Sequence, residues 1–160
     1  MKSFLLALAV FTCTAASAQS KSVSGVLDAY YKLKNQLVAG NSSTTATAAA
    51  DFKTAVEAVN NSNASAAEVK AFETVKQKLQ SEAASIAATN DISKQREMFS
   101  SLSNNMISLA KATTLSDTEI YIDYCPMKKA SWLSAEKAIK NPYYGNKMLT
   151  CGNVKETIKQ

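Results

Sequence analysis

The chain has no histidine among its 160 residues, and only two prolines, four glycines and one tryptophan. Without histidine it lacks the commonest general base, a usual zinc ligand and the usual ligand of oxygen-stable Cu(II). With so little glycine there is no Gly-rich phosphate loop. No Cys-x-x-Cys is present to make a redox helix. From Asn41 through Cys125 neither glycine nor proline occurs. After the first 18 residues, no stretch is long and apolar enough to span a bilayer. Together these absences argue against an enzyme, a zinc site and a membrane-spanning protein.

The first 18 residues read as a removable signal peptide. Lys2 supplies a positive start, Phe4 to Phe11 an apolar run too short to span a membrane, and Ala16-Ser17-Ala18 a small-residue cleavage site. A short membrane anchor is the alternative. Cys13 after an apolar stretch also suggests a lipoprotein, but Thr12 stands where a small Gly or Ala would be wanted. Cleavage after Ala18 leaves 142 residues (160 − 18), enough for one domain with a real core. It removes Cys13 and leaves Cys125 and Cys151 in an oxidising compartment. The expected location is periplasmic or secreted, with no stable membrane insertion after cleavage.

The formal charge of +5 is uneven. From Cys125 to Gln160 there are seven lysines against Glu136 and Glu156, which gives +5 (7 − 2), so the rest is near neutral. A basic tail can attract nucleic acid or an anionic membrane. Export argues against nucleic acid, and lysines scattered singly suit a solvated surface.

Before the tail the apolar spacing is helical. Val23, Val26, Leu27, Tyr30, Leu33 and Leu37 form one face, ended by Gly40 and Asn41. Residues 42–50 contain only Ser, Thr and Ala. They read as a linker whose second half starts a helix carrying Ala49, Phe52, Val56 and Val59. Asn60 to Asn63 is a turn cluster. Ser65 and Glu68 make a capping box for a third face of Phe72, Val75, Leu79, Ala83 and Ile86. Asn90 and Asp91 break the chain again before Ile92, Phe99, Leu102, Met106 and Leu109. Short turns between long helices favour antiparallel neighbours. The expected fold is mainly α: an up-and-down four-helix bundle over 19–114, then an irregular Cys/Met tail over 115–160 packed on it as one domain, with room for a short β-hairpin.

In the tail the period changes. Ile120, Ile122 and Tyr124 alternate with Glu119, Tyr121 and Asp123, which predicts a strand. The acids Asp117, Glu119 and Asp123 read as its solvated face. Met148 to Cys151 is the expected partner strand, bringing the cysteines together. Asn141-Pro-Tyr-Tyr-Gly145 is a turn signal. Ser134 is placed to cap a short helix through Ile139, and Val154 to Ile158 to form a last helical turn.

Cys125, Met127, Met148 and Cys151 carry the chemistry. Thiolate and thioether are soft ligands and select Cu(I), or equally Ag(I), over hard cations. Cu(I) accepts two to four sulfur donors. Trp132, Tyr143 and Tyr144 are candidate lids over such a site, or simply anchors for an irregular loop. The methionines could equally be core filler. The cysteines could equally be a structural disulfide, whose 27-residue loop would stabilise by roughly 3–4 kcal/mol. Nearby lysines lower thiol pKa values but repel free cations, so metal would come from another protein.

Tyr124-Cys-Pro-Met127, Trp132-Leu-Ser134, Ile139-Lys-Asn-Pro-Tyr-Tyr-Gly145, Lys147-Met-Leu149 and Cys151-Gly152 resemble the tail of a family of uncharacterised exported domains. These occur as short secreted proteins and fused to periplasmic adaptor subunits of copper/silver efflux systems. The match covers Ile120 to Glu156 and is only pattern-level over the helices. Here Lys-Lys-Ala-Ser replaces a longer Asn/Gly-rich insert common in the fused forms. The resemblance implies a helical domain with a heavy-metal-binding tail. It implies Cu(I) or Ag(I) as the ion, and an efflux adaptor or other envelope protein as partner. The competing expectation is a secreted helical interaction module with a Cys125–Cys151 disulfide and no metal.

Overall fold

The computed structural model describes residues 23–62 and 64–159. The expected signal peptide and Cys13 lie outside them. Four helices come first: α1 (Val23–Ala39), α2 (Ser42–Glu57), α3 (Ala66–Ala87) and α4 (Ile92–Ala112). A three-stranded antiparallel sheet follows, with β1 (Ile120–Cys125), β2 (Ala130–Ser134) and β3 (Asn153–Ile158) in the order β2-β1-β3. Among the described residues no helix is long and apolar enough to cross a membrane.

The helices start and stop where side chains can satisfy their free backbone groups. Asn41 Oδ1 accepts from Thr44 N–H at 3.1 Å, so α2 begins at once. All of Ser42 to Ala50 is therefore helix and none of it linker. Ser65 and Glu68 form the expected reciprocal capping box. Asp91 accepts from the N–H groups of Ser93 and Lys94 to start α4. Every expected α3 face residue is buried, as are Phe52 and Val56 of α2 and Phe99, Leu102, Met106 and Leu109 of α4.

Each helix packs mainly on the next, while α1 and α4 meet over a smaller area that the tail extends. Tyr30 of α1 stacks on Phe99 of α4 at 5.4 Å, and its hydroxyl pairs with Ser103 Oγ at 2.6 Å. The same hydroxyl accepts Leu133 N–H from β2 at 3.0 Å. Helices and sheet thus share one apolar cluster running from Val26 through Phe99 to Trp132 and Tyr143.

Three expectations for the tail are corrected. β1 pairs with β2 directly after a four-residue turn, closed by Lys129 N–H to the Cys125 carbonyl at 2.8 Å, and with β3 on its other side. Met148–Cys151 is a run of turns, not a strand, because Asn141 N–H takes the Leu149 carbonyl at 2.8 Å and Cys151 N–H takes the Met148 carbonyl at 3.1 Å. Val154–Ile158 is strand, not helix. After Ser134 there is a bend in place of a helix: Ser134 Oγ accepts Glu136 N–H and donates to the Glu136 carbonyl, which closes the chain on itself.

Candidate functional site

Cys125 ends β1 and Cys151 ends the loop that precedes β3. Their sulfurs stand 3.3 Å apart as free thiols. Cys125 is fully buried and Cys151 half-buried, so the pair has one sealed and one open side.

The approach depends on a residue that the sequence pattern presents only as a turn former. Asn141 is fully buried. Its Oδ1 accepts the N–H groups of Tyr143 (2.8 Å) and Tyr144 (3.3 Å), and its Nδ2 donates to the Cys151 carbonyl at 2.7 Å. One side chain thereby holds both ends of the 141–151 loop. Gly152 completes the geometry with φ +145°. A Cβ there would come within 2.9 Å of the Tyr124 carbonyl oxygen and 3.0 Å of the Trp132 ring.

The two thiols differ electrostatically. Burial opposes ionisation of Cys125. The N–H of Lys128, the Cys151 thiol, the Asn141 amide and the N–H of Met127 together outweigh it, so its pKa falls below the ordinary thiol value. Cys151 is raised, first by its hydrogen bond to Cys125 and then by burial.

Of the other expected site residues, Met127 is 65% exposed and Met148 37% exposed. Their backbones touch the pair: Met127 N–H faces both sulfurs, and the Met148 carbonyl accepts from Cys151. Trp132 is fully buried, edge-on to Tyr143 with ring centroids 5.9 Å apart. Tyr143 donates its hydroxyl to the Ser131 carbonyl at 2.6 Å. Both rings act as anchors beneath the loop. Tyr144 lines a cleft with Arg96, Lys128 and Lys147. Among the described residues no cluster of three or more Cys, Asp, Glu or His could hold a metal ion. Any metal here would rest on the two thiolates.

Asp123 overturns one expectation. It is 0% exposed, not on a solvated face. Neither of its oxygens, nor the Trp132 indole N–H, makes a hydrogen bond of good geometry, yet the indole lies close enough to the carboxylate to favour its charged form. Burial pushes its pKa up to about 7, opposed first by the charge of Lys34 on α1. Lys34 is itself almost fully buried, and burial lowers its pKa against the pull of Glu136 and Asp123.

The chain belongs to the DUF3347 family, described as proteins of unknown function, whose model matches residues 26–118. The match runs from the first turn of α1 through α4 and stops just before β1, so the cysteine pair lies beyond it. No curated protein and no solved structure matches the chain.

Proposed function

We propose that this DUF3347 chain is an exported soft-metal protein that holds Cu(I) or Ag(I) between Cys125 and Cys151. It sequesters the ion or passes it to an efflux adaptor or another envelope protein. The observation that carries this reading is the free dithiol at 3.3 Å, with Cys125 primed toward thiolate. Two thiolates and no hard ligand nearby select a soft monovalent ion.

Taking the Zn–S length of about 2.3 Å as a guide to metal–thiolate bonds, two sulfurs on one ion stand roughly 3.8–4.6 Å apart for tetrahedral to linear geometry. Loading therefore requires the pair to open by about 0.5–1.3 Å from its present separation. Cys151 is the accessible partner: it is half-exposed in the loop before β3, whereas Cys125 is buried at the end of the central strand. Transfer also needs a docking face. The exposed large apolar residues among those described are Met127, Met148, Leu149 and Val154, all in the tail and interspersed with Lys128, Lys129, Lys147 and Lys155. The exposed methionines are suited to exchanging a soft ion with a partner's sulfur ligands.

The test is titration of the reduced mature protein with Cu(I) against a coloured chelator. Wild type takes about one equivalent, Cys125→Ser and Cys151→Ser take none, and Met148→Ala holds the ion more weakly. A wild type that leaves all the copper with the chelator overturns the reading. The second reading, an interaction module stapled by a Cys125–Cys151 disulfide, draws on the same 3.3 Å approach. It predicts a purified protein two mass units lighter than the dithiol and indifferent to copper.

A further inference from the structure

We propose that the cleft between the start of α4 and the tail loops is a binding site for a small oxyanion, a phosphate or carboxylate group. The cleft has a volume of about 330 Å³ and is lined by Ser93 and Arg96 of α4, Lys128 of the β1–β2 turn, and Tyr143, Tyr144 and Lys147 of the Asn141 loop. Three cations from three separate segments converge there, and no carboxylate lines it. The ion pairs among the described residues are Lys53–Glu57, Lys76–Glu73, Lys111–Glu156 and Lys140–Glu136. None uses a cleft cation. Like charges gathered without a counter-charge repel one another, and an anion between them relieves that repulsion.

Arg96 gives the site its rigid wall. One Nη donates to the Leu37 carbonyl at 2.8 Å, which fixes the guanidinium against the end of α1. Its Nε is buried and has no hydrogen-bond partner, a donor without an acceptor. A planar guanidinium already held in place loses little freedom when it binds an oxyanion. Ser93 and Tyr144 also line the cleft, and the Tyr143 hydroxyl is already committed to the Ser131 carbonyl. The helix end contributes little, because Asp91 already occupies the N–H groups of Ser93 and Lys94. The volume is at the small end of ligand pockets and suits a compact anion, not a chain.

The experiment is an NMR titration of the folded, reduced, metal-free protein with inorganic phosphate and, separately, succinate, at ionic strength held constant with sodium chloride. Saturable shifts are expected at the amides of Ser93, Lys128, Tyr144 and Lys147 and at the Arg96 Nε–H. The anion that saturates at lower concentration identifies the class. Lys128→Gln with Lys147→Gln, both side chains remote from the apolar core, should weaken binding roughly tenfold, equivalent to about 1.4 kcal/mol. Shifts that never saturate, that chloride alone reproduces, or that survive unchanged in the double variant would overturn the proposal. Because no metal is present, the outcome is independent of the copper titration.

Discussion

Asp123 is the residue whose setting costs the fold most visibly. Its carboxyl titrates at about 7 in the folded protein because burial disfavours the charge, with Lys34 opposing. An unfolded carboxyl titrates near ~3.9. The folded state therefore binds this proton more tightly. The stability it contributes is full below the unfolded value and is lost as pH rises through about 7. The melting temperature of the reduced, metal-free protein should fall between pH 5 and pH 8, and Asp123→Asn should remove much of that slope. Equal slopes in the two proteins would show that the carboxyl is not held this way. Gly145 is the second sensitive residue. It has φ +55°, and a Cβ there would collide with Arg96 Nη2 and come within 2.7 Å of the Val38 carbonyl oxygen. Gly145→Ala should destabilise by about 1–3 kcal/mol, read as a lowered denaturation midpoint with an unchanged slope.

Among the elements, the sheet is tied to the helices through few polar links, and Tyr30 is the central one. Its hydroxyl takes the buried Leu133 N–H and pairs with Ser103. Tyr30→Phe leaves the buried Leu133 N–H without its partner and removes the pair with Ser103, which should cost about 1–3 kcal/mol. Hydrogen exchange at Leu133 should accelerate more than at amides in the middle of α3. Uniform acceleration would mean that sheet and helices open together.

The helices were legible because their apolar residues recur every three or four positions and their caps are local. Two of the three strands were not. β3 is exposed at nearly every position, so no alternating apolar face marks it. β2 is five residues long with serine at its second and last positions. Met148 to Cys151 has strand-forming residues, yet Asn141 claims the Leu149 carbonyl and the segment turns instead. Asp123 misled for a related reason. Its alternation with Ile122 implies a solvated face only if one side of β1 is bare. Here both alternating sets of β1 are largely covered, and the ladder to β3 slips at Ile122/Asp123. Of the site, the approach of the two cysteines was expected from a pairing of Met148–Cys151 with β1 that does not form; the 141–151 loop brings Cys151 to Cys125 instead. The role of Asn141 was not legible, since Asn-Pro signals a turn without saying what the amide will hold.

For the whole molecule, the shared family unit is the helical part, and the thiol pair lies on the tail beyond it. That division suits a scaffold bearing a grafted site, as function generally lives in sites and not folds. The tail that bears the thiol pair carries a net charge of +5 (seven lysines against two glutamates), although no lysine charge figures among the causes of either thiol's shift. A Cu(I) held by two thiolates carries one net negative charge, and that setting favours it over the free cation. Raised salt should therefore weaken metal retention modestly and leave the helices intact, which parallel chelator competition and circular dichroism would register.

The most direct measurement is X-ray absorption at the copper edge of the Cu(I)-loaded protein. The account predicts a first shell of two or three sulfur atoms with no nitrogen or oxygen, reduced to an incomplete or absent shell in Cys151→Ser. A first shell containing nitrogen or oxygen, or one unchanged by loss of Cys151, would contradict it.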